Sequence, residues 1–473
     1  MKLIRVAIRS PSSYMRQLSR RESQLWVFFV SATLLCLNFW ILSLPDFLRR
    51  FGSDTISAYL LGTVVLLAIN IALLLVATDR NSGDWSSPHK IGQPWLATTV
   101  GLCGLTVLVI GCYRWLRHIF AIPIDPMRAD MLVVIREGIR TLLEGGDPYR
   151  LYNVPWEAAL PYGPVLWVPY ILPYALKMDL RFLPVAAALF IAALCGVAAT
   201  VLGYRRLWLE ALVLLALELT VCLNLKLYHF IVIAHTPVYW PLIFLFCYLF
   251  SQGRSGPAAV TLGLLIAARA TMTALVPIFF IYAIKGEVED RRRSLEGRGH
   301  KPGLIRLFVY FCIAAVGPFL PFAIWNFRSL WYSIYGNYFH LVKGFVWQST
   351  DWVGRTFGTT GYLLSRGWQD HVEHLQIGVM LSFYVLAWLR ITHRAQALRW
   401  MGMALLLFSM TSLWPVYYLY LDVFVLLVVA FVIEPPMLGD WLPRVRLVPF
   451  LTGMAFTLLA VLFAVASALA GNY

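Results

Sequence analysis

The stretch IDPMRADMLVVIREGIRTLLEGGDPYRLYNVPWEAALPYGPVLWVPY, residues 124–170, is the one long polar and amphipathic interruption in an otherwise apolar N-terminal half. From Met131 to Leu143, the apolar residues at 132, 135, 139 and 142 fall on one helical face, and Arg136, Glu137, Arg140 and Glu144 take the other. That spacing predicts a helix lying on a membrane plane. Gly145 and Gly146 end it, because a left-handed C-cap favours glycine, and Asp147-Pro148-Tyr149 makes the turn. Two carboxylates, Asp125 and Asp130, precede the helix.

Outward from this loop, both flanks are apolar. The chain has 473 residues, 60% hydrophobic and only 13% charged, with a mean hydropathy of +0.71. This excludes a soluble domain of ordinary composition. Apolar runs recur near 25–44, 55–77, 95–115, 183–203, 207–224, 237–251, 304–325, 375–391, 400–415, 416–433 and 447–469. Each is about long enough to cross a hydrocarbon core of roughly 30 Å. Two further runs are irregular: 165–177 is short and proline-rich, which suits a kinked or re-entrant segment, and 257–284 carries Arg269 at its centre, which suits two half-helices. The reading is an all-α polytopic membrane protein with about 11–13 transmembrane helices.

The formal charge of +15 does not indicate a nucleic-acid partner. Lys and Arg sit between the apolar runs, as at Lys2, Arg5, Arg9, Arg16, Arg20 and Arg21, and again at Arg291, Arg292, Arg293, Arg298, Lys301 and Arg306. Under the positive-inside rule, 1–24 is a basic cytoplasmic N-terminus and 25–473 a single integral-membrane domain. The segments 116–163 and 326–374 are then two long extracytoplasmic loops, the second dense in Trp and Tyr. The seven cysteines include no CxxC pair and read as packing residues. No DxD, HExxH or Cys/His cluster is present, so no metal and no other cofactor is expected, and no Walker-type glycine loop suggests ATP.

The ordered set Asp130, Leu142-Leu143-Glu144-Gly145-Gly146-Asp147-Pro148-Tyr149 and Pro161-Tyr162-Gly163-Pro164 resembles the first extracytoplasmic loop of GT-C membrane glycosyltransferases. Its nearest likeness is to the GT87-type, polyprenyl-phosphate-mannose-dependent mannosyltransferases. The resemblance covers about 120–180. Two additional spans precede the loop here, and the late segment Trp414–Tyr420 lacks the His that these enzymes often place beside Tyr. The resemblance implies inverting transfer of a sugar, mannose or another hexose or pentose, from a polyprenyl-phosphate donor to a lipid or glycan hydroxyl. It further implies a bacterial plasma (inner) membrane location with the active site on the extracytoplasmic side.

The residue types suit that chemistry. A carboxylate at the membrane surface takes the proton of the attacking hydroxyl, and Asp130 is the first candidate, Asp125 the second. The leaving phosphate needs cations. Arg269 qualifies from an apolar run, Lys226, His229 and His235 from the segment NLKLYHFIVIAH (224–235), and Arg328, Lys343 and Arg355 from the second loop. Gly145, Gly146, Asp147, Pro148 and Tyr149 are expected to form a structural turn. Two alternatives use the same composition: an O-antigen ligase or polymerase type, whose key residues belong in 326–374, and a lipid or solute transporter, which needs paired charges along a path.

Overall fold

The structure, a computed structural model, describes residues 11–78, 94–154, 156–233, 236–294, 303–434 and 437–470. The candidate His235, residues 1–10 and the 295–302 part of the basic connection lie outside the described residues.

Helices α1 (Pro11–Ile41) and α3 (Thr55–Thr78) pack as neighbours, with the short α2 (Leu44–Arg49) at the bend between them. A reciprocal amide pair holds the two long helices: Asn38 donates to Asn70 Oδ1 at 3.1 Å and Asn70 donates back at 2.7 Å. Each buried amide thereby satisfies the other. Helix α4 (Pro94–Ala121) leads into α5 (Pro126–Leu143), a two-residue hairpin of β1 (Tyr152–Asn153) and β2 (Glu157–Ala158), and the broken turns α6 (Pro164–Trp167) and α7 (Ile171–Ala175). The proline-rich run near 165–177 is thus short helical turns and not a long span.

Helix α8 (Phe182–Tyr204) starts where α4 ends, because Arg181 donates to the Ile122 carbonyl at 2.6 Å, and it packs back along α4. Helices α9 (Trp208–Leu223) and α10 (Leu225–Ile233) meet at a 53° bend. Asn224 makes that bend: its Oδ1 accepts from Leu227 N–H at 2.9 Å and its amide donates to the Phe39 carbonyl at 2.6 Å. Helices α11 (Trp240–Ser251), α12 (Ser255–Ala268) and α13 (Val276–Ser294) follow. The 257–284 run does break at Arg269, where extended backbone and a 3₁₀ segment, Ala270–Leu275, separate α12 from α13.

The second expected loop is largely helical. Helices α14 (Leu304–Val316), α15 (Leu320–Trp331) and α16 (Asn337–Leu341) are joined by 3₁₀ and π turns into one apolar run, Leu304–Val346. Only from α17 (Thr350–Gly354) and α18 (Thr360–Ser365) onward does 326–374 behave as a connection. A kink at Asn326 (φ −153°, ψ 87°) marks where this segment leaves the direction of α14. Helices α19 (Val372–Arg390), α20 (Arg394–Met410), α21 (Tyr417–Val432), α22 (Leu442–Val445) and α23 (Leu447–Ala470) complete the chain.

Among the described residues, seven helical runs are long and apolar enough to cross a membrane, or eight counting the bent α9–α10 pair; this is fewer than the 11–13 expected, because α11, α12 and α21 are only 12, 14 and 16 residues long. The protein is therefore an all-α integral membrane protein. Helix α21 is only 16 residues, yet every residue from Leu419 to Val432 is buried, so it forms the centre of the bundle. A helix apolar on all sides demands such a position.

The bends sort to two ends. At one end, Lys285 Nζ donates to the Ile391 carbonyl, Gln252 lies beside Gly439, and a buried Arg399–Glu434 pair closes at 2.6 Å. At the other end, Asn326 reaches Asp147, Thr55 abuts Gly354, and Thr360 donates to the Ser412 carbonyl. The amphipathic loop belongs to this second end.

Candidate functional site

Helix α5 is set by its own sequence. Asp125 is the N-cap and accepts from Met127 N–H at 2.9 Å, with Pro126 at the first helical position. At the other end Gly145 takes φ +81°, while Gly146 N–H bonds the Thr141 carbonyl and Gly145 N–H bonds the Leu142 carbonyl. That pair of bonds is a Schellman cap. The helix does not lie loose on the membrane: Leu132, Val133, Val134, Ile135 and Ile139 are all buried, and Arg140 bridges Glu137 on the opposite face.

The Asp147–Tyr149 turn docks the loop to α15. Asp147 Oδ1 accepts from Tyr149 N–H at 2.9 Å and Oδ2 from Asn326 at 3.0 Å. Ser329 and Ser333 both donate to the Tyr149 carbonyl. The buried Tyr149 hydroxyl donates to the Tyr162 carbonyl at 3.0 Å and accepts from Trp167 Nε1 at 3.0 Å. Next to Tyr162, Gly163 lies against the Ala267 carbonyl so closely that a Cβ would overlap it. Only glycine lets the loop seat on the end of α12, immediately before Arg269.

That seating brings Asp130 and Arg269 to a common set of tyrosines. Helix α5 is kinked at Ala129 (φ −142°, ψ 46°), so Asp130 begins a new helical segment and accepts from Met131 N–H at 2.8 Å. Tyr162 and Tyr418 each interact electrostatically with both Asp130 and Arg269. The Arg269 guanidinium lies over the Tyr418 ring, 5.5 Å from its centroid. Behind it stands Asp422, whose side chain is 1% exposed against 10% for Arg269. Asp422 is already held by Tyr239 Oη at 2.5 Å and Trp240 Nε1 at 2.8 Å, so Arg269 Nη1 approaches it only to 3.6 Å and meets no hydrogen-bond acceptor. A buried guanidinium with an unspent donor is prepared for an oxyanion. Burial raises the Asp130 carboxyl above its ordinary value, partly offset by the Met131 N–H bond.

The other candidates distribute as follows. Lys226 and His229 lie on α10, which packs beside α5. Lys226 pairs with Asp46 of α2 and sits over the Tyr417 ring at 5.2 Å. His229 is exposed, 6.4 Å from His118, whose ring stacks on Tyr228. The second-loop cations have surroundings of their own: Lys343 pairs with Glu373 at 2.5 Å, Arg355 pairs with Asp351 at 2.8 Å, and Arg328 is exposed on α15. Among the described residues, no group of three or more His, Cys, Asp and Glu is arranged to hold a metal ion.

Sequence reasoning missed Asp422 and Asp46, and it named Tyr162 and Tyr418 only as parts of a loop motif and a late segment, without a role at the site. Asp422 carried a usable signal, as an acid inside an apolar run opposite Arg269 in another. The tyrosines carried no sign of meeting Arg269, since nothing in their spacing tells which of the many aromatics shares its surroundings. Comparison with protein-family models, curated proteins and solved structures returns no match.

Proposed function

We propose that this protein is a membrane glycosyltransferase that moves a sugar from a polyprenyl-phosphate donor to an extracytoplasmic hydroxyl with inversion. The observation that carries the reading is that a half-buried carboxylate, Asp130, and the buried cation Arg269 both act electrostatically on Tyr162 and Tyr418, while Arg269 Nη1 meets no hydrogen-bond acceptor. The GT-C-like loop sequence supports it as well, because the same loop carries Asp130 and seats its Tyr162-Gly163 step on the end of α12, just before Arg269.

In this reaction the acceptor oxygen attacks the anomeric carbon while Asp130 takes its proton. The bond from that carbon to the phosphate oxygen breaks, and its electron pair leaves on the phosphate. Arg269 receives the developing charge, a form of stabilisation that is strong in a water-poor site. Lys226 on α10 lies on the α5 side, with its charge already shared with Asp46. A phosphate is a weak base when it leaves, so no general acid is needed. Burial of Asp130 makes it a stronger base than an exposed carboxylate.

The deciding experiment measures polyprenyl phosphate released from polyprenyl-phosphate sugars by protein reconstituted in lipid. Sugar-dependent release, lost in folded Asp130→Asn and in Arg269→Gln, is the expected result. Release unaffected by Asp130→Asn would sink its role as base, and no release from any donor would favour the transporter reading.

A further inference from the structure

A carboxyl group that the proposed chemistry leaves unused lies inside the bundle. Glu218, in the second half of α9, is 1% exposed, and its Oε2 meets no hydrogen-bond partner. Its oxygens press against two glycines on neighbouring helices. A Cβ at Gly196 of α8 would stand 2.8 Å from Oε2 and 3.0 Å from Oε1, and one at Gly104 of α4 would stand 3.2 Å from Oε2. The glycines form a slot that the carboxyl fills.

The surroundings offer no counter-charge. The titratable groups facing Glu218 are the thiols Cys195 on α8 and Cys222 on α9, with Cys36 on α1 and Cys112 on α4 next beyond them. Arg114, farther along α4, lies over the Tyr228 ring and interacts with Cys222, and it forms no ion pair with Glu218. Helix α23, which also packs on α4 and α8, carries no titratable side chain. An unpaired carboxylate in such a place costs several kcal/mol, whereas the neutral acid does not.

We propose that Glu218 is an intramembrane proton-binding site. It occupies the Gly104–Gly196 slot as the neutral acid, and release of its proton requires α4 to part from α8 and α9. Helix α4 runs directly into the Asp125 cap of α5, so proton occupancy at Glu218 is linked to the position of the loop that carries Asp130. The inference stands on the α4–α8–α9 packing and is independent of the sugar-transfer reading.

The test is infrared spectroscopy of the full chain in lipid vesicles at neutral pH, comparing wild type with Glu218→Gln. A protonated-carboxyl C=O band that the substitution removes is expected, and an unchanged band overturns the proposal. If the Gln variant does not fold, Gly196→Ala serves instead, since it keeps the acid but drives it from the slot: a shifted band supports the site and an unmoved one refutes it. The link to helix motion is read from a Val100→Cys, Gly203→Cys pair, where a Cβ on residue 203 would lie 3.4 Å from that of Val100. Once oxidised, this tether between α4 and α8 should hold the band to higher pH. Identical titrations with the tether open and closed would disprove the linkage.

Discussion

In the proposed reaction the chemistry rests on two side chains, Asp130 and Arg269, and each has a measurable signature. Asp130→Asn should lower turnover about 10²–10⁴-fold, the usual contribution of a positioned base. Because burial raises the Asp130 carboxyl, the acid limb of the wild-type pH–rate profile should fall above the ordinary carboxylate value of 3.8, with rate lost as the group protonates. The same shift has a stability consequence of opposite benefit. The fold favours the neutral acid, so wild-type stability declines as pH rises from the unfolded carboxylate range through the folded value. Asp130→Asn escapes that loss, so it should melt at or above wild type at neutral pH, with the gap closing below about pH 4. A variant that melts well below wild type at neutral pH would show that Asp130 is structural.

The Arg269–Asp422 contact is also a residue-scale device. Asp422→Asn leaves the guanidinium without its buried counter-ion and should cost about 3–5 kcal/mol, read by denaturation in detergent. The double change Arg269→Met, Asp422→Leu should recover much of that stability while abolishing turnover. Arg269 was conspicuous in the sequence as a cation within an apolar run. Its partner sits more than a hundred residues away, and nothing local announces that the two meet.

At the scale of elements, the docking of the loop rests on two glycines with different reasons. Gly145 holds φ +81°, so Gly145→Ala should cost about 1–2 kcal/mol and leave the site arranged. Gly163→Ala drives a methyl into the Ala267 carbonyl, so it should unseat Tyr162 from Arg269 and reduce turnover far more than Gly145→Ala does. Equal effects of the two in parallel turnover and melting measurements would contradict this account of the docking. The helix, its cap and its turn were all legible in 124–149, because capping and turn formation are local. The seating on α12 was not, because it depends on a carbonyl contributed from another part of the chain. The helical form of 326–346 was not legible, since aromatic residues in an interfacial segment and aromatic residues on a helix have the same composition.

The whole molecule is a bundle with two chemically distinct ends, and sidedness is its testable property. In a background lacking the native cysteines, Glu157→Cys and Arg254→Cys should label from opposite faces of sealed vesicles with an impermeant thiol reagent. Labelling of both from one face would refute the arrangement of α4 through α12. The second-loop cations belong to this scale as well. Lys343 and Glu373 are each 47% exposed, so their pair contributes at most about 1 kcal/mol, and Lys343→Ala should leave turnover near wild type.

The sequence alone determined that this chain lives in a membrane, where its α5 helix begins and ends, and which carboxylates flank it. Those properties follow from hydropathy, helical periodicity and capping, all of which act over a few residues. Tertiary structure alone decided that Asp130 and Arg269 both act electrostatically on Tyr162 and Tyr418, that Asp422 backs the guanidinium, that Lys343 and Arg355 pair with Glu373 and Asp351, and that Glu218 fills a glycine slot. Those relations are set by which helices pack against one another, and the packing depends on side-chain volumes and buried polar partners drawn from the whole length of the chain.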